Sequence, residues 1–138
     1  MPTTTGGEAK EWAFAVSYDL GIAKPYFIYQ NGQAKAIAAN ATVPGTNKTT
    51  SYLLGATFPM GALTPYVEVG NSKNRENVAN TASRAKASGY QIGALYSLSK
   101  RTTAYAALGN SKTTDTSVGN VGGFRKTNDF NLGIRHDF

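Results

Sequence analysis

The side chains able to meet ions or polar molecules are spread thinly along this 138-residue sequence. Lys24, Tyr26, Gln30, Tyr66, Glu68, Tyr105, Asn131, Arg135 and Asp137 fall on the polar side of segments in which apolar and polar residues alternate. Where such groups line a passage, their charges tune which ions prefer it. The plainer alternative is a set of wall residues that are solvated or paired with one another. Bond-making chemistry finds no support. There is no Ser-His-Asp set, no paired catalytic carboxylates and no Gly-rich phosphate loop. His136 is the single histidine, cysteine is absent and no carboxylate pair is placed to help it, so metal ligation is not expected. We expect no enzyme activity, no cofactor and no metal.

Charge and composition narrow the class further. Lys and Arg number 14 against 8 Asp and Glu, a formal charge of +6. The cations are scattered from Lys10 to Arg135, and the only adjacent pairs are Lys100-Arg101 and Arg125-Lys126. Neither pair sits in a nucleic-acid motif, so no nucleic-acid partner is expected. Lys100-Arg101 falls in a tight turn, where it would contact the surrounding interface or a neighbouring turn. Without cysteine there is no disulfide framework. No apolar run approaches the ~18 residues of a transmembrane helix. Residues 1–7 lack the apolar core of a secretory signal, so the sequence reads as a mature form or a piece of a longer precursor.

The elements that must position the polar residues are strands, and they repeat. Trp12 to Tyr26 can be laid on Tyr52 to Tyr66 without a gap. A third copy starts at Tyr90 and reaches Tyr105, and Phe130 opens a fourth. Each copy reads as one β-hairpin. Its first strand alternates cleanly, as in Trp12, Phe14, Val16 and Tyr18, or Tyr52, Leu54, Ala56 and Phe58, or Tyr90, Ile92, Ala94 and Tyr96. The pattern predicts an all-β, antiparallel up-and-down meander with strands near 9–20, 23–33, 50–58, 63–72, 88–97, 102–112 and 127–138. Short turns are expected at 19–23, 59–63 and 97–101. Long polar loops are expected near 31–50, 71–88 and 110–127, rich in Asn, Thr, Gly, Ser and Lys.

Two further features point to a lipid surround. One end of such a meander carries only tight turns and the other only long loops, an asymmetry of outer-membrane barrels. Trp12 and Tyr18, Tyr52 and Phe58, and Tyr90 and Tyr96 each lie six residues apart on the apolar side. At ~3.3 Å per residue that is about 20 Å along the strand. Strand tilt reduces it to roughly 15 Å along the barrel axis. Two girdles of rings around an aliphatic band are suited to the two membrane interfaces. A cross-strand aromatic cluster in a soluble core would explain one such pair, but poorly three in register.

At the end of the chain Phe130, Leu132, Ile134, His136 and Phe138 take one side of a last strand, and Gly133 stands sixth from the end. Gly in that position, a ring third from the end and a terminal Phe resemble the closing strand of Gram-negative outer-membrane barrels. The third-from-last ring is usually Tyr or Phe and is His136 here. The resemblance implies that these six residues serve as the signal read by the barrel-assembly machinery. Tyr96-Ser-Leu-Ser-Lys-Arg-Thr-Thr-Ala-Tyr105 resembles the last periplasmic turn of trimeric general porins of the beta-proteobacterial type. Together the two motifs cover the last fifty residues, and the first ninety fit only through the hairpin repeat.

That family implies a 16-stranded barrel, three per trimer, in the outer membrane of a Gram-negative cell. It implies passive diffusion of small hydrophilic solutes or ions, with lipid as the surrounding partner. A preference for anions is the expectation that goes with this resemblance, while the dispersed basic excess reads as solvated loops and a polar lumen. Seven strands cross a membrane an odd number of times, so the expectation is a C-terminal part of a porin barrel, rather under half, in a single partial domain 1–138. The family's constriction loop has no counterpart here. Trp12, Tyr18, Tyr52, Phe58, Tyr90, Tyr96, Phe130 and Phe138 are the expected lipid-facing rings. Two other readings stay open. One is a non-pore outer-membrane barrel acting as adhesin or scaffold, which conductance would separate from a pore. The other is a soluble β-sheet binding module, which independence of detergent would reveal.

Overall fold

Alternating side chains on a pleated strand need a hydrogen-bonded neighbour on each edge, and the fold supplies these in chain order. A computed structural model describes residues 7–36, 45–78, 81–117 and 122–138. They form β1 (Gly7–Ser17), β2 (Lys24–Ala36), β3 (Gly45–Thr57), β4 (Leu63–Val78), β5 (Thr81–Ser99), β6 (Thr102–Ser117) and β7 (Gly123–His136). Each strand pairs antiparallel with the next in a single sheet ordered β1-β2-β3-β4-β5-β6-β7. Contacts between elements join only sequential neighbours, so among the described residues the sheet stays open at β1 and β7. The expected meander of seven strands is what forms.

The strands are longer than expected, and this corrects the loop assignment. Most of 71–88 is ladder, because β4 runs to Val78 and β5 begins at Thr81. Likewise β6 continues to Ser117 and β7 starts at Gly123, inside the stretch assigned to a loop at 110–127. In 31–50, β2 extends to Ala36 and β3 starts at Gly45, while 37–44 lie outside the described residues. The physical reason is that backbone pairing continues past the point where either face is apolar. Outward Asn71, Lys73 and Arg75 and inward Ser72, Asn74 and Glu76 are all polar, so hydrophobic alternation fades while the hydrogen bonds do not.

The tight turns lie at the other end, as expected. Leu20 N–H donates to Ala23 O at 2.9 Å and Gly21 takes φ 82°, with its N–H bonded to Asp19 Oδ1 at 2.8 Å. The equivalent turn closes with Met60 N–H to Leu63 O at 2.8 Å and Gly61 at φ 64°. Only glycine enters this region freely. The third turn has Ser99-Lys100-Arg101-Thr102 instead, without glycine. Its register shifts between Ser97 and Ser99, and Ser99 Oγ accepts from the Arg101 N–H at 3.2 Å.

No second layer covers this sheet. Ala107 is the one buried apolar side chain among the described residues, at 7% exposure. Trp12, Phe14, Leu54, Tyr90, Leu132 and Ile134 are all more than 45% exposed. A water-soluble sheet buries one face against another element. Here the whole apolar face is bare.

Candidate functional site

Register decides which residues share a face. Tyr26 stands opposite Gly55, which stands opposite Glu68, which stands opposite Gln91 and then Gly109. The next row runs through Lys24, Thr57, Tyr66, Gly93, Ala107 and Asn131. Tyr105 pairs with Gly133, and Thr103 with Arg135, on the same side. Gln30 lies four residues from Tyr26 on β2 and so shares it too. Lys24, Tyr26, Gln30, Tyr66, Glu68, Tyr105, Asn131 and Arg135 are therefore brought to one face. Asp137 lies just beyond β7, and its carboxylate accepts from Arg135 Nε at 3.0 Å.

On this polar face, the side chains of the middle strands are screened by their neighbours, whereas Lys24, Gln30, Asn131 and Arg135 are exposed. In β3, Ser51 and Leu53 are half-buried and Gly55 is buried, while Tyr52 and Leu54 on the other face are exposed. Such alternation is what a sheet curved toward its polar side produces. A trough of about 630 Å³ runs from β2 to β7, with Gln30, Ser51, Glu68, Gln91, Asp129 and Asn131 along it. Its polar groups bond across strands. Gln30 donates to Glu11, Tyr26 donates to Glu68, and Gln91 Nε2 donates to the Tyr66 hydroxyl at 2.7 Å. Ser51 and Ser72 hydroxyls meet at 2.8 Å. The result is a wettable wall held by fixed hydrogen bonds.

Three of these side chains are laid flat by glycine. A Cβ built on Gly55 or on Gly133 would clash with the hydroxyl end of the Tyr26 or Tyr105 ring. One on Gly93 would come within 2.6 Å of Tyr66 Cζ and 2.7 Å of Ala106 O. Each ring thus lies across the glycine directly opposite, and Tyr26 thereby reaches Glu68 one strand further on. The sequence reading missed this device. Tyr26, Tyr66 and Tyr105 do occupy equivalent places in the repeat, as do Gly55, Gly93 and Gly133, and that was the available signal. Gly133 accordingly faces the polar side, away from its companions in the closing-strand pattern.

The other face holds the rings. Trp12, Tyr52, Tyr90, Tyr96 and Phe130 lie on it, and Trp12 packs on Tyr29 at 5.1 Å between ring centres. Tyr18 and Phe58 fall just past the ends of β1 and β3, and both backbone N–H groups still bond across, to Pro25 O and Pro65 O. Leu132, Ile134 and His136 share this face. Phe138 lies beyond β7, fully exposed, with its ring edge-on to His136 at 4.8 Å. His136 Nδ1 is 2.9 Å from Thr102 Oγ1. Among the described residues no group of three His, Cys, Asp or Glu side chains is placed to hold a metal.

A family model described as Gram-negative porin matches residues 2–116. The chain belongs to that family. Among solved structures, this porin chain is similar to the anion-selective porin from Comamonas acidovorans, with a TM-score of 0.68 at 25% sequence identity. The likeness covers 96% of this chain and 40% of that one, so this porin sequence spans less than half the length of its structural relative. No curated protein sequence matches it significantly.

The register also divides the charge. Inward, the porin strands carry Glu11, Glu68, Glu76, Asp115 and Asp129 against Lys24, Arg125 and Arg135. Most of the basic excess is outward. Glu11, Glu76, Asp115, Arg125 and Asp129 were not among the expected wall residues, because most of them stand in stretches taken for loops.

Proposed function

We propose that this chain is part of the wall of an outer-membrane diffusion pore, with the sheltered polar face toward water and the bare apolar face toward lipid. Small hydrophilic solutes and ions pass along the polar face without a chemical step. The observation that carries this reading is the pairing of a hydrogen-bonded polar face with an uncovered apolar face in one open sheet. A soluble module would leave its largest apolar residues in water. The wall formed by these strands bears more carboxylates than cations, so a preference for anions, if the whole barrel has one, must come from cations on other strands. In the same proposal the whole protein is a barrel of more strands that assembles as a trimer. Phe130, Leu132, Gly133, Ile134, His136 and Phe138 make the segment that the assembly machinery reads.

The test is to reconstitute the whole protein, with all the strands of its barrel, in planar bilayers. We expect stepwise conductance that rises in proportion to the salt conductivity of the bath. Inserted, folded protein that gives no steps would leave only a non-conducting barrel. Folding in the absence of detergent or lipid would instead favour the soluble module.

A further inference from the structure

Three tyrosine rings on the polar face stand at one height. Tyr26, Tyr66 and Tyr105 each come three residues after the residue that closes a tight turn, namely Ala23, Leu63 and Thr102. Three residues make ~10 Å along a strand, or roughly 8 Å along the barrel axis once tilt is included. The register sets each ring two strands and two residues from the next. With strands ~4.8 Å apart, neighbouring rings stand about 12 Å from one another. They form a collar at the turn-side end of the wall.

The rings are held as platforms. Each lies across a glycine, so one face rests toward the backbone of the neighbouring strand. Tyr26 is fixed by its hydrogen bond to Glu68, and Tyr66 by the Gln91 Nε2 donor at 2.7 Å. Contacts between elements join only sequential strands, so among the described residues no element covers the other face. Planar hydrogen-bonding groups border these platforms. Glu68 and Gln91 stand opposite each other beside the Tyr66–Gly93 pair, and Asn131 and Arg135 lie two residues to either side of Gly133. A quaternary ammonium fits poorly, because rings about 12 Å apart on one wall cannot enclose a cation within ~6 Å of each. The better fit is a solute with an apolar C–H face and a rim of hydroxyls. Carboxylate and amide oxygens accept from hydroxyls, and amide and guanidinium N–H groups donate to them.

We propose that this collar binds neutral sugars, with the C–H face of a pyranose on a tyrosine ring and its hydroxyls on the bordering polar groups. The inference deepens the diffusion-pore reading and rests on it. Sugars then pass this wall with a weak, saturable affinity, where a bare wetted wall would treat them like any solute of their size.

The experiment reads the ion current through the whole protein in planar bilayers while maltose is added on the turn side. Glycerol, at matched bath conductivity, gives the baseline for a polyol without a pyranose face. We expect saturable inhibition by maltose and none by glycerol. Without the ring faces, a variant carrying Tyr26→Leu, Tyr66→Leu and Tyr105→Leu should need at least about tenfold more maltose for half-inhibition. Tyr105→Phe, which keeps the face, and Tyr90→Leu, on the outward side, should each change it less than about twofold. A second measurement needs no substitution. Saturation transferred from aromatic protons to the maltose C–H protons should vanish when the protein is made with ring-deuterated tyrosine. Transfer that survives deuteration, inhibition that survives the triple change, or half-inhibition by adenosine at a lower concentration than by maltose would overturn the proposal. Channel steps in salt that maltose affects no more than glycerol sink the collar alone. Inserted protein that gives no steps removes the diffusion-pore reading beneath it.

Discussion

Tyr105 stands directly opposite Gly133 across the β6–β7 ladder, and the hydroxyl end of its ring would clash with any Cβ on that glycine. The same relationship joins Tyr26 to Gly55 and Tyr66 to Gly93. Glycine ordinarily weakens a strand, since it has no side chain to pack. A cross-strand aromatic ring covering the gap restores that packing and pins the register.

Replacement of Gly133 by Ala should therefore destabilise the protein, by about 1–3 kcal/mol as overpacking. Gly109→Ala makes the informative contrast. Gly109 also faces inward, but a Cβ there meets nothing nearer than Tyr90 O at 3.6 Å. That change should be neutral or slightly stabilising, because it restricts the unfolded chain. Denaturant midpoints of protein refolded in detergent would measure both. Adding Tyr105→Ala to Gly133→Ala should cost less than the two changes summed.

Much of this fold was legible from alternation alone, and the limits of that legibility are physical. Trp12, Phe14 and Val16 mark a strand because each sits between small or polar neighbours that face the other way. Between Asn71 and Glu76 both faces are polar, so the signal stops while the ladder continues to Val78. Register was illegible for a different reason. Tyr66 and Gly93 are visible singly, but their apposition depends on how two strands slide, and only pairing fixes that. The division of charge between faces was hidden for the same reason. A formal charge of +6 is one number, and Lys73 and Ser72 look alike until the pleat separates them.

Charge on the inward face should govern ion preference. Glu68→Gln and Asp129→Asn each remove a carboxylate from the trough. Each should shift the reversal potential in a salt gradient toward greater chloride permeability. Lys35→Gln changes charge by one unit in the opposite sense on the outward face and should give a smaller, opposite shift. Shifts of equal size from both faces would mean that the potential in the pore does not follow the register.

The 138-residue chain by itself should give no steady single-channel steps. β1 and β7 each leave one edge unpaired among the described residues. Within lipid every unsatisfied N–H or C=O on such an edge costs several kcal/mol. Planar bilayer recordings of the purified monomer check this directly. Stable unitary currents from the monomer would require closure of the two edges on each other.

The sharpest test of the two faces uses neighbouring residues of the same type. Leu53 faces the trough side and is half-buried, whereas Leu54 faces outward and is 52% exposed. For a sheet in water, Leu53→Arg would be the harmful change and Leu54→Arg nearly harmless, because the second site is already open to solvent. For a sheet in a bilayer the order reverses. Arg at Leu54 enters hydrocarbon between Tyr52 and Phe58 and should cost about 2–4 kcal/mol near the midplane. Arg at Leu53 can reach the wetted wall and the Glu68 side, and should cost about 1 kcal/mol or less. The measurement is the folding free energy of each variant in lipid vesicles, from reversible denaturant titrations. A larger loss for Leu53→Arg than for Leu54→Arg would place lipid on the wrong face, and the membrane orientation would have to be abandoned.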